Sequence, residues 1–167
     1  MLYVGVDPGL GGAIGVLGNL GFVQVTDMPV AAVSRGKGKT QKRDYLLQGL
    51  VSIFSRFDPA TCHVGIEAVH SMPGEGVSGA FSFGRGLGIL QGIVSALGLP
   101  YTMVSPQRWR ATMLSDMPKG KGSSLIRAQQ LFPSADLSLK KHDGRAESLL
   151  IASYLQRSMV TYEKNPS

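Results

Sequence analysis

Leu2-Tyr3-Val4-Gly5-Val6-Asp7-Pro8-Gly9 opens the chain and decides how the rest is read. The first five residues carry no charge and form a short apolar run, the pattern of a strand covered on both faces. Asp7-Pro8-Gly9 stops it, because Pro8 removes a backbone amide and Gly9 tolerates a turn. A carboxylate is thereby set at the carboxyl end of a buried strand. Such a strand needs neighbours. Ala13–Leu17 and Phe22–Thr26 read as two more strands, with Gly18-Asn19-Leu20-Gly21 as the hairpin signal between them. His63–Ile66, after Asp58-Pro59, is a fourth, ended by Glu67. Tyr101–Val104 is a fifth.

Helical spacing fills the intervals. Ser34–Arg43 has no apolar residue and five basic ones, Arg35, Lys37, Lys39, Lys42 and Arg43, and reads as an exposed loop. Asp44 then reads as the cap of a helix carrying Leu46, Leu47, Leu50, Val51 and Phe54. Ser71–Gly76 is rich in turn formers. Ser78–Leu97 predicts a long helix on which Gly84, Gly88 and Gly92 share a face, an arrangement that calls for close packing against another helix or a sheet. Pro106–Met113 and Ser123–Leu131 predict short helices, and Arg145–Gln156 the last one. The order of elements predicts an α/β domain, a mixed five-stranded sheet with helices on both faces. Residues 1–158 form that single domain, and residues 159–167 a polar tail that frays from Thr161.

The composition agrees. The chain of 167 residues is 43% hydrophobic with a mean hydropathy of +0.08, which excludes a wholly disordered polypeptide. Lys and Arg number 17 against 11 Asp and Glu, a net charge of +6 that suits a polyanionic partner. Cys62 is the only cysteine, so intrachain disulfides and Cys-rich zinc sites are excluded. Leu87–Leu99, the most apolar region, is too short for a membrane span and contains Gln91. The Met1 end has no signal-peptide profile. A soluble protein of a reducing compartment is expected.

With so few acids, their placement is informative. Asp7 and Glu67 end two strands that, if parallel neighbours, stand roughly 5 Å apart. Asp143 and Glu147 lie four apart at the start of the last helix and share one of its faces. A helix laid over the strand ends gathers all four at the crevice where open α/β sheets place ligands. Four carboxylates repel one another unless hard divalent cations neutralise them, which points to Mg²⁺ or Mn²⁺. Two such ions about 3.5–4 Å apart activate water and stabilise a leaving oxygen in phosphodiester hydrolysis. Each residue also has an ordinary use: Asp-Pro-Gly makes turns, a strand-end Glu can be simply solvated, an Asp suits a helix start, and Glu147 suits a surface.

Gly5-Val6-Asp7-Pro8-Gly9-Leu10, Gly65-Ile66-Glu67, Phe83-Gly84-Arg85-Gly86-Leu87-Gly88 and the run Asp143-Gly144-Arg145-Ala146-Glu147-Ser148-Leu149-Leu150-Ile151-Ala152 together resemble the RuvC-type Holliday junction resolvases, in the small form seen in bacteriophages and bacteria. The resemblance covers about Leu2 to Leu155. It implies a ribonuclease H-like fold, a homodimer, and a crossover junction endodeoxyribonuclease that makes paired nicks in four-way DNA with two Mg²⁺ or Mn²⁺ ions per site. It implies metal ligation by Asp7, Glu67, Asp143 and Glu147, and a cytoplasmic place in a bacterial cell or a phage-infected host. Two departures stand out. The family often spaces its last two ligands by three, but three before Glu147 is Gly144, so Asp143 takes the role, with His142 kept as an alternative ligand or water-activating group. The family also tends to carry an aromatic wedge after the Glu strand, where this chain has Ala68-Val69-His70-Ser71-Met72. Broader branched-DNA cleavage, at forks or flaps, and a catalytically silent junction-binding module are the alternatives.

The cations expected on DNA are Lys119, Lys121, Arg108, Arg110, Arg85, Lys37 and Lys39. Trp109, between Arg108 and Arg110, suits either packing or an unstacked base. Gly36-Lys37-Gly38-Lys39-Thr40 is not a P-loop, since Val33 stands where the first Gly belongs. Ser82 follows no strand and makes a poor nucleophile elbow. His63 reads as structural, and His70 as a residue near the site. An actin-like phosphotransferase, which shares a strand-end Asp-x-Gly, needs a second domain for which this chain has no room.

Overall fold

Leu2–Val6 forms β1, the central strand of a five-stranded sheet, in a computed structural model that describes residues 1–34, 41–68 and 76–164. β2 (Ala13–Leu17) pairs with it antiparallel, and β3 (Val23–Asp27) continues the meander. The tight connection is a 3₁₀ turn, Asn19–Gly21, in which Leu20 takes φ 57° and is fully exposed. On the other side of β1 come β6 (Cys62–Glu67) and β7 (Tyr101–Val104), both parallel. The order is β3-β2-β1-β6-β7, the mixed five-stranded sheet expected.

The charged stretch before residue 44 differs from expectation. Val30–Ser34 (β4) and Gln41–Tyr45 (β5) pair as a separate antiparallel hairpin, with Val33 opposite Lys42 and Ala32 opposite Arg43. Lys42 and Arg43 are exposed, so this strand tolerates a charged sequence that reads as loop. Lys37 and Lys39 lie outside the described residues, as do residues 69–72, which include His70 and all but the first residue of the stretch where the family tends to carry a wedge. Asp44 is not a helix cap. It sits within β5, and its Oδ1 accepts hydrogen bonds from the Tyr45 amide (2.8 Å) and from Arg85 (2.7 Å). α1 (Leu47–Phe54) starts after Leu46 without a side-chain cap.

Alternating strand positions feed two cores. Val4, Val6, Val64 and Ile66 pack with Leu50 and Phe54 of α1 and with Leu90 and Val94 of α2 (Val77–Ala96). On the opposite face, α3 (Pro106–Met113), α4 (Ser123–Leu131) and α5 (Asp143–Lys164) bury Trp109, Ala128, Ala146, Leu149, Leu150 and Ala152. α5 is longer than the sequence suggests at both ends. A 3₁₀ turn, Lys140–His142, leads into it, and it remains helical to Lys164, past the fraying expected from Thr161.

Glycines set the closest contacts. Gly15, Gly5 and Gly65 stand in register across β2, β1 and β6. A Cβ on Gly5 would strike the Ser148 carbonyl and the Ala152 amide, and one on Gly15 would lie 2.8 Å from the Leu149 amide. α5 therefore rests directly on the sheet backbone. Gly84, Gly88 and Gly92 do the opposite of what their spacing suggests: they are open, and among the described residues no atom lies within 4 Å of where a Cβ would stand. The buried side of α2 is Gly86, Leu90 and Val94, and positions two away lie about 200° round the helix. Among the described residues, no helix is long and apolar enough to cross a membrane.

Candidate active site

Asp7 follows β1 directly and Glu67 closes β6. Their strands pair in parallel with Val6 opposite Ile66, so both carboxylates leave the same edge of the sheet. α5 brings the third acidic segment over these strand ends, and Gly144 allows it. A Cβ on Gly144 would lie 2.5 Å from the Gly11 carbonyl and 3.1 Å from Asp7 Oδ2. Asp7, Asp143 and Glu147 line one open cavity of about 730 Å³, together with Arg110, Lys121 and Ser124. Glu67 sits behind them, 6% exposed.

Each inner carboxylate has its own partners. The Trp109 indole Nε1–H donates to Glu67 Oε1 at 2.8 Å. Arg110 donates to Glu147 Oε1 at 2.8 Å while its guanidinium lies 5.0 Å from the centre of the Trp109 ring. Ser124 Oγ donates to the same Glu147 oxygen at 3.1 Å. Asp7 Oδ1 accepts from the Gly9 amide at 3.2 Å.

The electrostatics record how crowded the acids are. Burial pushes the Asp7 carboxyl up to about 7; the Gly9 amide opposes this, and the charges of Glu147 and Glu67 add to it. Glu147 is also raised, mainly by burial, with Arg110 opposing and Glu67 and Asp143 adding. These are the consequences of several carboxylates sharing a poorly solvated pocket.

The donor set fits a hard divalent cation: the candidate ligands are all carboxylates, and their mutual repulsion is what a cation would relieve. The side chains do not already enclose an ion. Among the described residues, no three His, Cys, Asp or Glu side chains form a ready-made cage. Arg110 holds Glu147 through Oε1, and Trp109 holds Glu67 through Oε1, so the guanidinium and a cation would share the Glu147 carboxylate.

Other expected residues fall in different places. His142 is buried and lines an adjoining cavity of about 450 Å³ with Arg43, Lys141 and Asp27; it is not among the residues lining the carboxylate cavity. Its Nδ1 accepts the Leu139 amide at 3.4 Å. Lys121 lines the acidic cavity, and Lys119 is exposed beside it in sequence. Arg108 lines a mostly apolar cavity with Thr102, Tyr154 and Met159. Arg85 is paired with Asp44. Trp109 is wholly buried, so packing, not base stacking, is its role. His63 Nε2 lies 2.9 Å from Thr102 Oγ1, consistent with a structural residue.

Sequence reasoning missed three contributors. Ser124 and the Trp109 indole come from helices remote in sequence from the carboxylates they touch. Arg145, read only as part of a motif, clamps α5 through Asp27 (2.5 and 2.8 Å) and Asp136 Oδ2 (2.7 Å). The Arg145 guanidinium holds both of those carboxyls below their usual range. Gly144 did carry a readable signal: a glycine embedded between two candidate ligands.

No family model matches the chain. In sequence, it is similar to "Holliday junction resolvase MOC1, chloroplastic" of Chlamydomonas reinhardtii, 29% identical over 150 residues that cover 79% of this chain. The chain spans 17% of that protein's length. Among solved structures, Thermus thermophilus RuvC superposes with a TM-score of 0.59 at 15% identity, covering 95% of this chain and 97% of that one. T. thermophilus RuvC in complex with a Holliday junction substrate gives a TM-score of 0.59 at 13% identity, covering 95% and 96%. The fold is thus the ribonuclease H-like mixed sheet of RuvC, as the sequence resemblance implied.

Proposed function

We propose that this chain is a divalent-metal-dependent endonuclease that resolves four-way DNA junctions by paired nicks. One observation carries the reading: Asp7, after β1, and Asp143 and Glu147 of α5 line one open cavity with Arg110 and Lys121, and the charge of Glu67, at the end of β6, reaches both Asp7 and Glu147. The fold shared with a RuvC bound to a junction substrate, and the likeness to a protein named as a Holliday junction resolvase, point the same way.

Asp7, Glu67, Asp143 and Glu147 are the residues that would hold the ions. Two Mg²⁺ or Mn²⁺ ions there would supply an activated water and charge stabilisation of the leaving oxygen. The chain's own part is placement. β1 and β6 set the spacing of Asp7 and Glu67, and α5 presents Asp143 and Glu147 above them. Arg110 and Lys121, at the cavity, and Lys119 beside it, draw the phosphate backbone toward the acids. Arg108 and Arg85 are further cations proposed for DNA contact, as are Lys37 and Lys39, which lie outside the described residues. A homodimer would present two such cavities to opposed strands of one junction, and the exposed Gly84–Gly88–Gly92 side of α2 leaves room for a partner. Residues 1–158 would act as one domain.

The test is a Mg²⁺ titration against labelled four-way junction, plain duplex and single strand. Cutting confined to the junction supports the reading. Cutting of forks and flaps with equal rate would replace it with a broader branched-DNA nuclease, and metal-independent binding without cutting would leave a junction-binding module.

A further inference from the structure

Trp109 has no assigned part in the chemistry, yet it touches it. Its side chain is wholly buried, and its Nε1–H donates to Glu67 Oε1 at 2.8 Å. A buried indole N–H needs a partner. This one takes a carboxylate that is itself 6% exposed.

Both groups are rigidly mounted. Glu67 is opposite Val104 in the β6–β7 pairing, and the Ala68 amide donates to the Val104 carbonyl at 2.8 Å. Trp109 follows five residues later on α3, whose first turn hangs from the Ser105 carbonyl. The acceptor is thus fixed to β6, and the donor to the helix that follows the neighbouring strand β7. The hydrogen bond sets the rotation of the Glu67 carboxylate about its last torsion, which is otherwise a soft one. The Trp109 ring also underlies Arg110, which holds Glu147.

We propose that Trp109 is a positioning residue that orients Glu67 for a divalent cation. The inference rests on the metal-site reading above. Partners of this kind that orient a ligand typically contribute 10–100-fold to metal affinity.

The chain contains one tryptophan, so its indole N–H gives a single cross-peak in a ¹H–¹⁵N correlation spectrum. The peak should shift saturably with Mg²⁺ and broaden with Mn²⁺ in the wild-type protein. The Mg²⁺ shift should vanish in Glu67→Gln. Calorimetric titration with Mn²⁺ should show Trp109→Phe, which keeps the ring and removes the donor, binding at least about tenfold more weakly. An indole peak that stays still while calorimetry shows the ion binding overturns the positioning role and leaves the metal site standing. So does a Trp109→Phe protein that binds as tightly as wild type. If wild-type protein binds no divalent ion in calorimetry, both readings fall. Should Trp109→Phe not fold, the wild-type spectrum and Glu67→Gln decide.

Discussion

Asp7 holds a proton in the folded, metal-free protein at pH values where the unfolded chain has released it. Its carboxyl lies near 7 in the fold, against an ordinary value near 4. Because the folded state binds more protons across that window, this residue makes metal-free stability fall as pH rises from about 4 to about 7. Asp7→Asn removes the charge. Thermal unfolding in chelator at about pH 8 should therefore show Asp7→Asn melting higher than wild type. Added Mg²⁺ should raise the wild-type melting temperature and leave the variant unchanged, and the variant should not cleave. A variant that cleaves, or melts lower than wild type above pH 7, contradicts the placement of Asp7.

Gly144 tests the same pocket by sterics. An added methyl meets the Gly11 carbonyl, which cannot move without moving the loop beside Asp7. Gly144→Ala should cut cleavage at least about tenfold and lower stability by about 1–3 kcal/mol. Chemical denaturation and a single-turnover assay give the two numbers. Full activity in Gly144→Ala would mean that α5 stands further from that loop.

At the scale of elements, β1 and β6 were legible because a strand buried on both faces has no choice but an unbroken apolar run. Asp7 and Glu67 were legible with them, since each ends such a run. The β4–β5 hairpin was not, because its second strand carries Lys42, Arg43 and Asp44 on a small sheet outside the main one. Asp44 looked like a cap because a capping residue and a strand-borne acid are written with the same letter. The glycines of α2 show a further limit. Periodicity says which residues share a face, and not whether that face looks inward; Gly86, not Gly84, is the one that packs. The Glu67–Trp109 bond was illegible because 42 residues separate donor from acceptor. At this scale the sharpest prediction concerns α5. Gly5→Ala puts a methyl into the Ser148 carbonyl and the Ala152 amide, and should lower stability by about 1–3 kcal/mol. Because the shift is carried along the helix to Glu147, it should weaken Mn²⁺ binding in calorimetry as well. A loss of stability with unchanged Mn²⁺ affinity would mean that α5 relaxes locally without carrying Glu147.

The whole molecule carries +6 while its candidate active site is acidic. On the proposed function, the first would draw DNA and the second would cut it. Lys119→Glu with Lys121→Glu should weaken junction binding and flatten its dependence on salt concentration, by about one unit of slope for each phosphate that is no longer neutralised. Binding measured across a salt series checks this. An unchanged slope would route the DNA away from the loop before α4.

Gly15 and Gly5, aligned across β2 and β1 beneath the backbone of α5, have a mechanical consequence. Where helix and sheet normally meet through a cushion of side chains, that cushion can shear and settle. Here main chain bears on main chain, so the joint has almost no play. The acids on the helix and those on the strand ends behave as parts of one casting. If the chain acts on branched DNA as proposed, the bending that such a substrate demands must be absorbed by the DNA, or by portions of the protein remote from this seam.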